Sequence, residues 1–234
     1  MSKNVLLLLV FSFFTVMMGF SNETPEQKLL REAKREERER AINIYFYQSR
    51  SGGREEKLDA LDKILNEWGK LLYTQEDKRL VDLAIYLAEE GTVRREYRDN
   101  MLINNYPEVR KKACMVLGKL GGDGARDALV NILITDEDPE VRVEACNQLA
   151  AVGDNSRAEV LRTLVYIYRS TYRPEPRLVL ALINAVKNVA RNSVSGYVDA
   201  VYVLTEIQMS NYNNHIRNAA KDAIDYLKAP PEKK

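Results

Sequence analysis

Pro107-Glu108-Val109-Arg110 and Pro139-Glu140-Val141-Arg142 are one phrase written twice in this chain. The first opens a helical pattern that runs to Gly121-Gly122, and the second opens one that runs to Gly153. From Val109 the apolar residues fall at Ala113, Val116, Leu117 and Leu120. From Val141 the same offsets give Ala145, Leu149 and Val152, with the polar Gln148 between them. Residues three and four apart share one side of an α-helix, so each set is a single stripe built for burial. Further out, the offsets recur from Leu178 (Leu182, Ala185, Val186, Val189), from Ile216 (Ala220, Ala223, Ile224, Leu227) and from Leu80 (Ala84, Leu87, Ala88, then Gly91). Twenty-three of the twenty-five positions are apolar, where a chain 45% apolar would give about eleven by chance.

Thirty-two residues separate Val109 from Val141, which leaves room in each unit for a second helix and two turns. One helical hairpin cannot bury such a stripe alone; its neighbours must cover it. The expected fold is therefore all-α: an α-α superhelix, a right-handed solenoid of about five to six stacked helical hairpins. The punctuation agrees. Asp138 before Pro139 reads as an N-cap with proline at the first helical position. Gly91, Gly121, Gly122 and Gly153 stand where a left-handed C-cap is wanted. Asp123, Asp136 and Asp154 fall in turns, where aspartate suits capping.

Asp138-Pro139-Glu140-Val141-Arg142 with Ala145, Leu149 and Gly153 resembles a HEAT repeat, of the short kind found as phycobilisome-lyase-type HEAT-like repeats. The unit from Pro107 to Asp138 is similar through Val109, Arg110, Ala113, Leu117, Gly118 and Leu120. Arg110, Arg142 and Arg217 follow the first apolar position in three units, while Val81 and Val179 stand there in the others. The Thr-Pro-Leu-His of ankyrin repeats and the Trp/Tyr/Pro pattern of tetratricopeptide repeats are missing.

Residues 1–21 differ in kind. Lys3 precedes an apolar run from Val5 to Met18, and Gly19-Phe20-Ser21 places small residues at a cleavage site, the form of a secretory signal peptide. The run is short for a membrane span, which needs ~20 apolar residues; an uncleaved inner-membrane anchor over residues 5–20 is the alternative. Removal of this segment takes away one cation and no acid from a chain of net charge +1, leaving a balanced domain. That balance argues against a nucleic-acid binder, whose footprint is a basic excess.

Residues 22–40 alternate in sign and predict a charged, exposed helical arm. Residues 41–228 form the expected solenoid. It begins with a capping hairpin of Ala41–Tyr47 and Leu58–Leu72, in which Trp68 belongs to the core. The helix from Thr74 to Gly91 then pairs with a polar helix over Val93–Asn104. Later partner helices turn inward Leu129, Ile132 and Leu133; then Leu161, Leu164, Val165 and Tyr168; then Val198, Val201 and Leu204. Pro230-Pro231 ends the last helix, and residues 229–234 read as a disordered tail.

Chemistry has few candidates. His215 is the single histidine and stands at a surface position, so neither a zinc site nor a histidine-dependent nucleophile is patterned. Cys114 and Cys146 hold equivalent places in adjacent units. Stacked helices lie ~8–10 Å apart and a disulfide needs Cα atoms within ~7 Å, so two free buried thiols are expected. Asp136-Glu137-Asp138 lacks the spacing of a calcium loop, and Gly121-Gly122-Asp123-Gly124 lacks the Lys-Ser/Thr of a phosphate loop. Neither catalytic residue, cofactor nor metal is predicted. The surface singled out lies on the second helices: Arg162, Tyr166 and Arg169, with Arg126 one unit earlier and Tyr172 and Arg173 in the next loop, a ridge of the residue types enriched in interface anchors.

These observations predict an exported, non-enzymatic HEAT-repeat protein that binds another protein as scaffold or assembly factor in the bacterial envelope, in the periplasm. Two alternatives stay open: a bilin-lyase-type enzyme, implied by the resemblance, and a structural protein self-associating through residues 23–40. The stripe itself is testable by urea denaturation. Leu117→Asp buries an unpaired carboxylate and is expected to cost several kcal/mol, while Lys111→Ala is expected to change stability little.

Overall fold

The computed structural model describes residues 24–153, 158–191 and 196–229. The expected signal segment (1–21), its anchor alternative, Asp154 and all but the first residue of the 229–234 tail lie outside these residues. No helix among the described residues is long and apolar enough to cross a membrane.

Eleven helices make up the described chain: α1 (Pro25–Ser51), α2 (Arg54–Asn66), α3 (Trp68–Leu71), α4 (Lys78–Ala88), α5 (Pro107–Leu120), α6 (Gly122–Thr135), α7 (Pro139–Val152), α8 (Glu159–Ser170), α9 (Pro176–Arg191), α10 (Tyr197–Gln208) and α11 (Asn214–Lys228). The described residues fall into two units, divided between Glu39 and Arg40. The described part of the first unit is exposed helix with an Arg35–Glu39 ion pair one turn apart.

In the second unit the apolar stripes dictate two layers. The first helices α2, α5, α7, α9 and α11 pack side by side in sequence order, and the second helices α4, α6, α8 and α10 do the same behind them. Each second helix also packs against the first helix of the following unit. The result is an all-α stack of helical hairpins. Val109, Ala113, Val116, Leu117, Val141, Ala145, Leu149, Leu182 and Ala220 are wholly shielded from solvent. Gln148 keeps its place in the lattice because Gly118 on α5 leaves room: a Cβ at Gly118 would run into the Gln148 side chain.

Local chemistry sets the helix ends. Asp138 accepts hydrogen bonds from the Glu140 and Val141 amides at 2.9 and 3.1 Å, and Asn213 caps α11 through the Ile216 amide at 3.1 Å. Gly121 (φ +66°, ψ −162°) and Gly153 (φ +85°, ψ −169°) end α5 and α7 in a region open essentially only to glycine.

Two sequence expectations change here. Val93–Asn104 is not a helix. It is a hairpin of two antiparallel strands, β1 (Tyr97–Arg98) and β2 (Met101–Leu102). Asp99 and Asn100 both take left-handed backbone, the requirement of a tight two-residue hairpin turn. The buried Asn104 side chain holds this insertion in shape, donating to the Arg94 carbonyl at 2.8 Å and accepting from the Glu96 amide at 2.9 Å. Consequently α4, with its Leu80 stripe, is the second helix of the first hairpin, and α2 is its first helix. Among its described residues the second unit holds four successive first-and-second helix pairs, the lone α11 and the C-terminal part of α1, rather than five to six hairpins. That part of α1 packs Ile42 and Tyr45 inward, with Tyr45 Oη donating to Glu67. Trp68 is half-buried, edge-on to Tyr73 at 5.5 Å.

Arg110 and Asp136 form the central polar tie. Nε and Nη2 of Arg110 donate to the two Asp136 oxygens at 2.7 and 3.1 Å, and Nη1 donates to the Glu90 carbonyl and to Asn105 Oδ1. Both ion-pair side chains are almost fully buried, at 3% and 1% exposure. Removing one partner of such a pair strands the other charge, so Arg110→Ala is expected to cost about 3–5 kcal/mol in urea denaturation. Arg54→Ala, which breaks the exposed Arg54–Glu108 pair between α2 and α5, is expected to leave the urea midpoint almost unchanged, because solvent screens an exposed pair.

Candidate functional site

The outer side of the second-helix layer is where large side chains stand in water for no packing reason. On α8 the buried stripe is Val160, Leu161, Leu164, Val165 and Ile167, which leaves Arg162, Tyr166 and Arg169 outward at helical spacing. On α10 the buried stripe is Ala200, Val203, Leu204 and Ile207. Val198, Tyr202 and Met209 are therefore outward, at 62%, 63% and 78% exposure. This corrects the sequence expectation that Val198 turns inward. The positions 200, 203, 204 and 207 follow helical spacing better than 198, 201 and 204, which drift around the helix, and that signal was present in the sequence.

One charged contact joins the two helices. Arg169 donates from Nη2 and Nε to the two Glu206 oxygens at 2.6 and 3.2 Å, which sets the last turns of α8 and α10 side by side. This contact holds the Arg169 guanidinium above its ordinary pKa. Tyr166 lies one turn before Arg169 and Tyr202 one turn before Glu206, so the two exposed rings flank the pair on adjacent helices. The loop after α8 continues the surface. Tyr172 is 86% exposed, and the Arg173 guanidinium lies 5.5 Å over its ring.

The sequence-derived ridge is thus partly assembled. Arg162, Tyr166, Arg169, Tyr172 and Arg173 share α8 and its following loop. Arg126 does not join them as an open anchor: its side chain is only 12% exposed, tied to Asp123 at 2.8 Å and Asp127 at 3.4 Å. Sequence reasoning missed Tyr202 and Met209, which complete the surface on α10.

A separate feature is a cleft of 450 Å³ between the hairpin insertion and the turn before α7, lined among others by Thr92, Arg95, Leu102, Arg110 and Glu137. It mixes a cation, a carboxylate and apolar contacts, and the buried Arg110 is already engaged by Asp136. Among the described residues no three histidine, cysteine or acidic side chains gather as a metal site. His215 is exposed. Cys114 and Cys146 are free, buried thiols, as the spacing predicts, and burial pushes both well above the ordinary thiol pKa.

The geometry defines a class: an α-solenoid of stacked helical hairpins presenting an aromatic and charged face on its second helices. Residues 100–182, from the end of the hairpin turn into α9, match the family model for HEAT repeats, so this stretch of the chain is HEAT-repeat in kind. A search of curated proteins finds no match to it. HEAT repeats generally mediate protein interactions, so the fold supplies a helical repeat scaffold suited to binding proteins. With both thiols sealed in the core, iodoacetamide is expected to leave Cys114 and Cys146 unmodified in the native protein and to alkylate both in denaturant, as read by mass spectrometry.

Proposed function

We propose that this chain is an exported, non-enzymatic scaffold or assembly factor of the bacterial envelope, working in the periplasm, and that it binds another protein across the outward face of α8 and α10. The observation that carries the reading is the pair of exposed tyrosines, Tyr166 and Tyr202, on helices locked together by Arg169–Glu206. Tyrosine and arginine held on rigid helices are the residue types that anchor interfaces, because little conformational freedom is lost when a partner covers them. The near-neutral charge of the chain supports a protein partner over a polyanion. Export is supported by the Lys3 and Val5–Met18 pattern at the N-terminus.

Chemical cross-linking in the native cell, followed by purification from the periplasmic fraction, tests both parts. The expected outcome is one recurrent cross-linked partner in that fraction, lost from Tyr166→Ala/Tyr202→Ala protein that still folds by circular dichroism. Recovery of the chain in the cytoplasm alone would refute export, and unchanged cross-linking of the double variant would refute the face.

A further inference from the structure

The exposed row on α8 and its following loop reads Arg162, Tyr166, Arg169, Tyr172, Arg173. Arg169 is occupied by Glu206. Arg162 and Arg173 enter no ion pair among the described residues, and both are exposed. On the flanking helices the exposed carboxylates are Asp127 on α6, tied to Arg126, Glu206 on α10, taken by Arg169, and Asp199 on α10, which enters no ion pair among the described residues. The net-positive strip is therefore one helix wide, with carboxylates beside it on α6 and α10.

The loop end of the strip is held in an unfavourable backbone. Arg173 has φ +48°, a left-handed conformation that a side-chain-bearing residue rarely adopts. It places the guanidinium over the ring of Tyr172, the most exposed large apolar residue among the described residues. Tyr172 has no packing role at 86% exposure, so the strain is not repaid by burial in the stack.

We propose, resting on the protein-binding reading above, that this strip docks an acidic peptide segment of the partner. Its carboxylates meet Arg162 and Arg173, and its apolar side chains lie on Tyr166 and Tyr172. Charge complementarity selects the occupant. A basic segment would face two uncompensated arginines. A broad polyanion such as nucleic acid would overlap the carboxylates on α6 and α10, whereas a single acidic segment fits between them.

Fluorescence anisotropy on the full chain tests this with three labelled probes: a peptide alternating glutamate and leucine, the same peptide with lysine for glutamate, and an oligothymidine of equal length. The glutamate peptide is expected to bind and the lysine peptide not to. Its affinity is expected to fall about tenfold between about 50 and about 300 mM salt. Arg162→Glu/Arg173→Glu is expected to weaken the glutamate peptide about tenfold and to admit the lysine peptide. Absence of binding by the glutamate peptide, equal binding of both signs, tighter binding of oligothymidine, or indifference to the charge reversal would each overturn the proposal. The outcomes separate the two readings. If charge reversal has no effect while Tyr166→Ala/Tyr202→Ala still loses the cellular cross-link, the face stands and the acidic partner falls. If neither variant alters the cross-link, the face itself falls.

Discussion

A helix with one apolar stripe, such as α5 or α7, exposes that stripe whenever it stands alone, and pairing with a single second helix still leaves a flank in water. The structure depends on the way neighbouring units close those flanks. Leu117 and Leu149 reach zero exposure because helices stand on both sides of them in the first-helix layer and a second helix lies behind. The same requirement explains the two ends. At α11 the outer side is polar, with Lys221 paired to Asp225, and Tyr226 is drawn down by Arg191, whose guanidinium lies 4.0 Å from the ring centre. At the other end α1 buries Ile42 and Tyr45 against the first hairpin but leaves Ile44 and Tyr47 in solvent. Terminal units of a stack differ from internal ones for this reason.

Burying so many helix ends creates a second problem, because the last carbonyls of each helix have no partner within it. The arginine after the first apolar position answers it in three units. Arg110 donates to the Glu90 carbonyl, Arg142 to the Leu133 carbonyl at 3.3 Å and Arg217 to the Gln208 carbonyl at 3.1 Å. Each reaches back to the C-terminal end of the helix before it, where a cation is also favoured by the helix dipole. In the first of the three the residual charge is matched by Asp136. In the second, Nη2 of Arg142 instead donates to the Thr171 hydroxyl at 3.4 Å. Asp136 and Thr171 occupy the same place, the C-cap of a second helix, so the site is one structural position with two chemical solutions.

That recurrence bears on what the sequence reveals. The Val109 and Val141 stripes and their aspartate and glycine caps were legible because each follows from spacing along a single helix, and the free thiols because equivalent positions of stacked helices lie too far apart to bridge. Which layer a stripe belongs to was not. Leu80, Leu87 and Ala88 are buried as their spacing demands, yet α4 is a second helix, since a stripe names a buried side and not the neighbour that covers it. The hairpin at 97–102 was missed for a different reason: Arg94, Arg95, Glu96 and Arg98 look like a solvated helix. The Asp99-Asn100 pair, able to accept left-handed backbone, was the local sign of a turn. At the candidate face the outward residues of α8 were readable, while those of α10 required the correct choice between two competing apolar registers.

The face on α8 and α10 owes its rigidity to the burial that the lattice enforces. Val160, Leu164 and Ile167 anchor α8 from within, so Arg162 and Tyr166 are displayed from fixed backbone rather than from a loop. The Arg169–Glu206 pair is half-exposed and adds little stability by itself. Its consequence is positional: it neutralises the middle cation of the α8 row and leaves the outer two, Arg162 and Arg173, to set the sign of the strip. A scaffold that relied on its apolar rings alone would accept many partners. In the proposed docking strip, two arginines that enter no ion pair among the described residues would give the row of tyrosines a preference for one sign of partner.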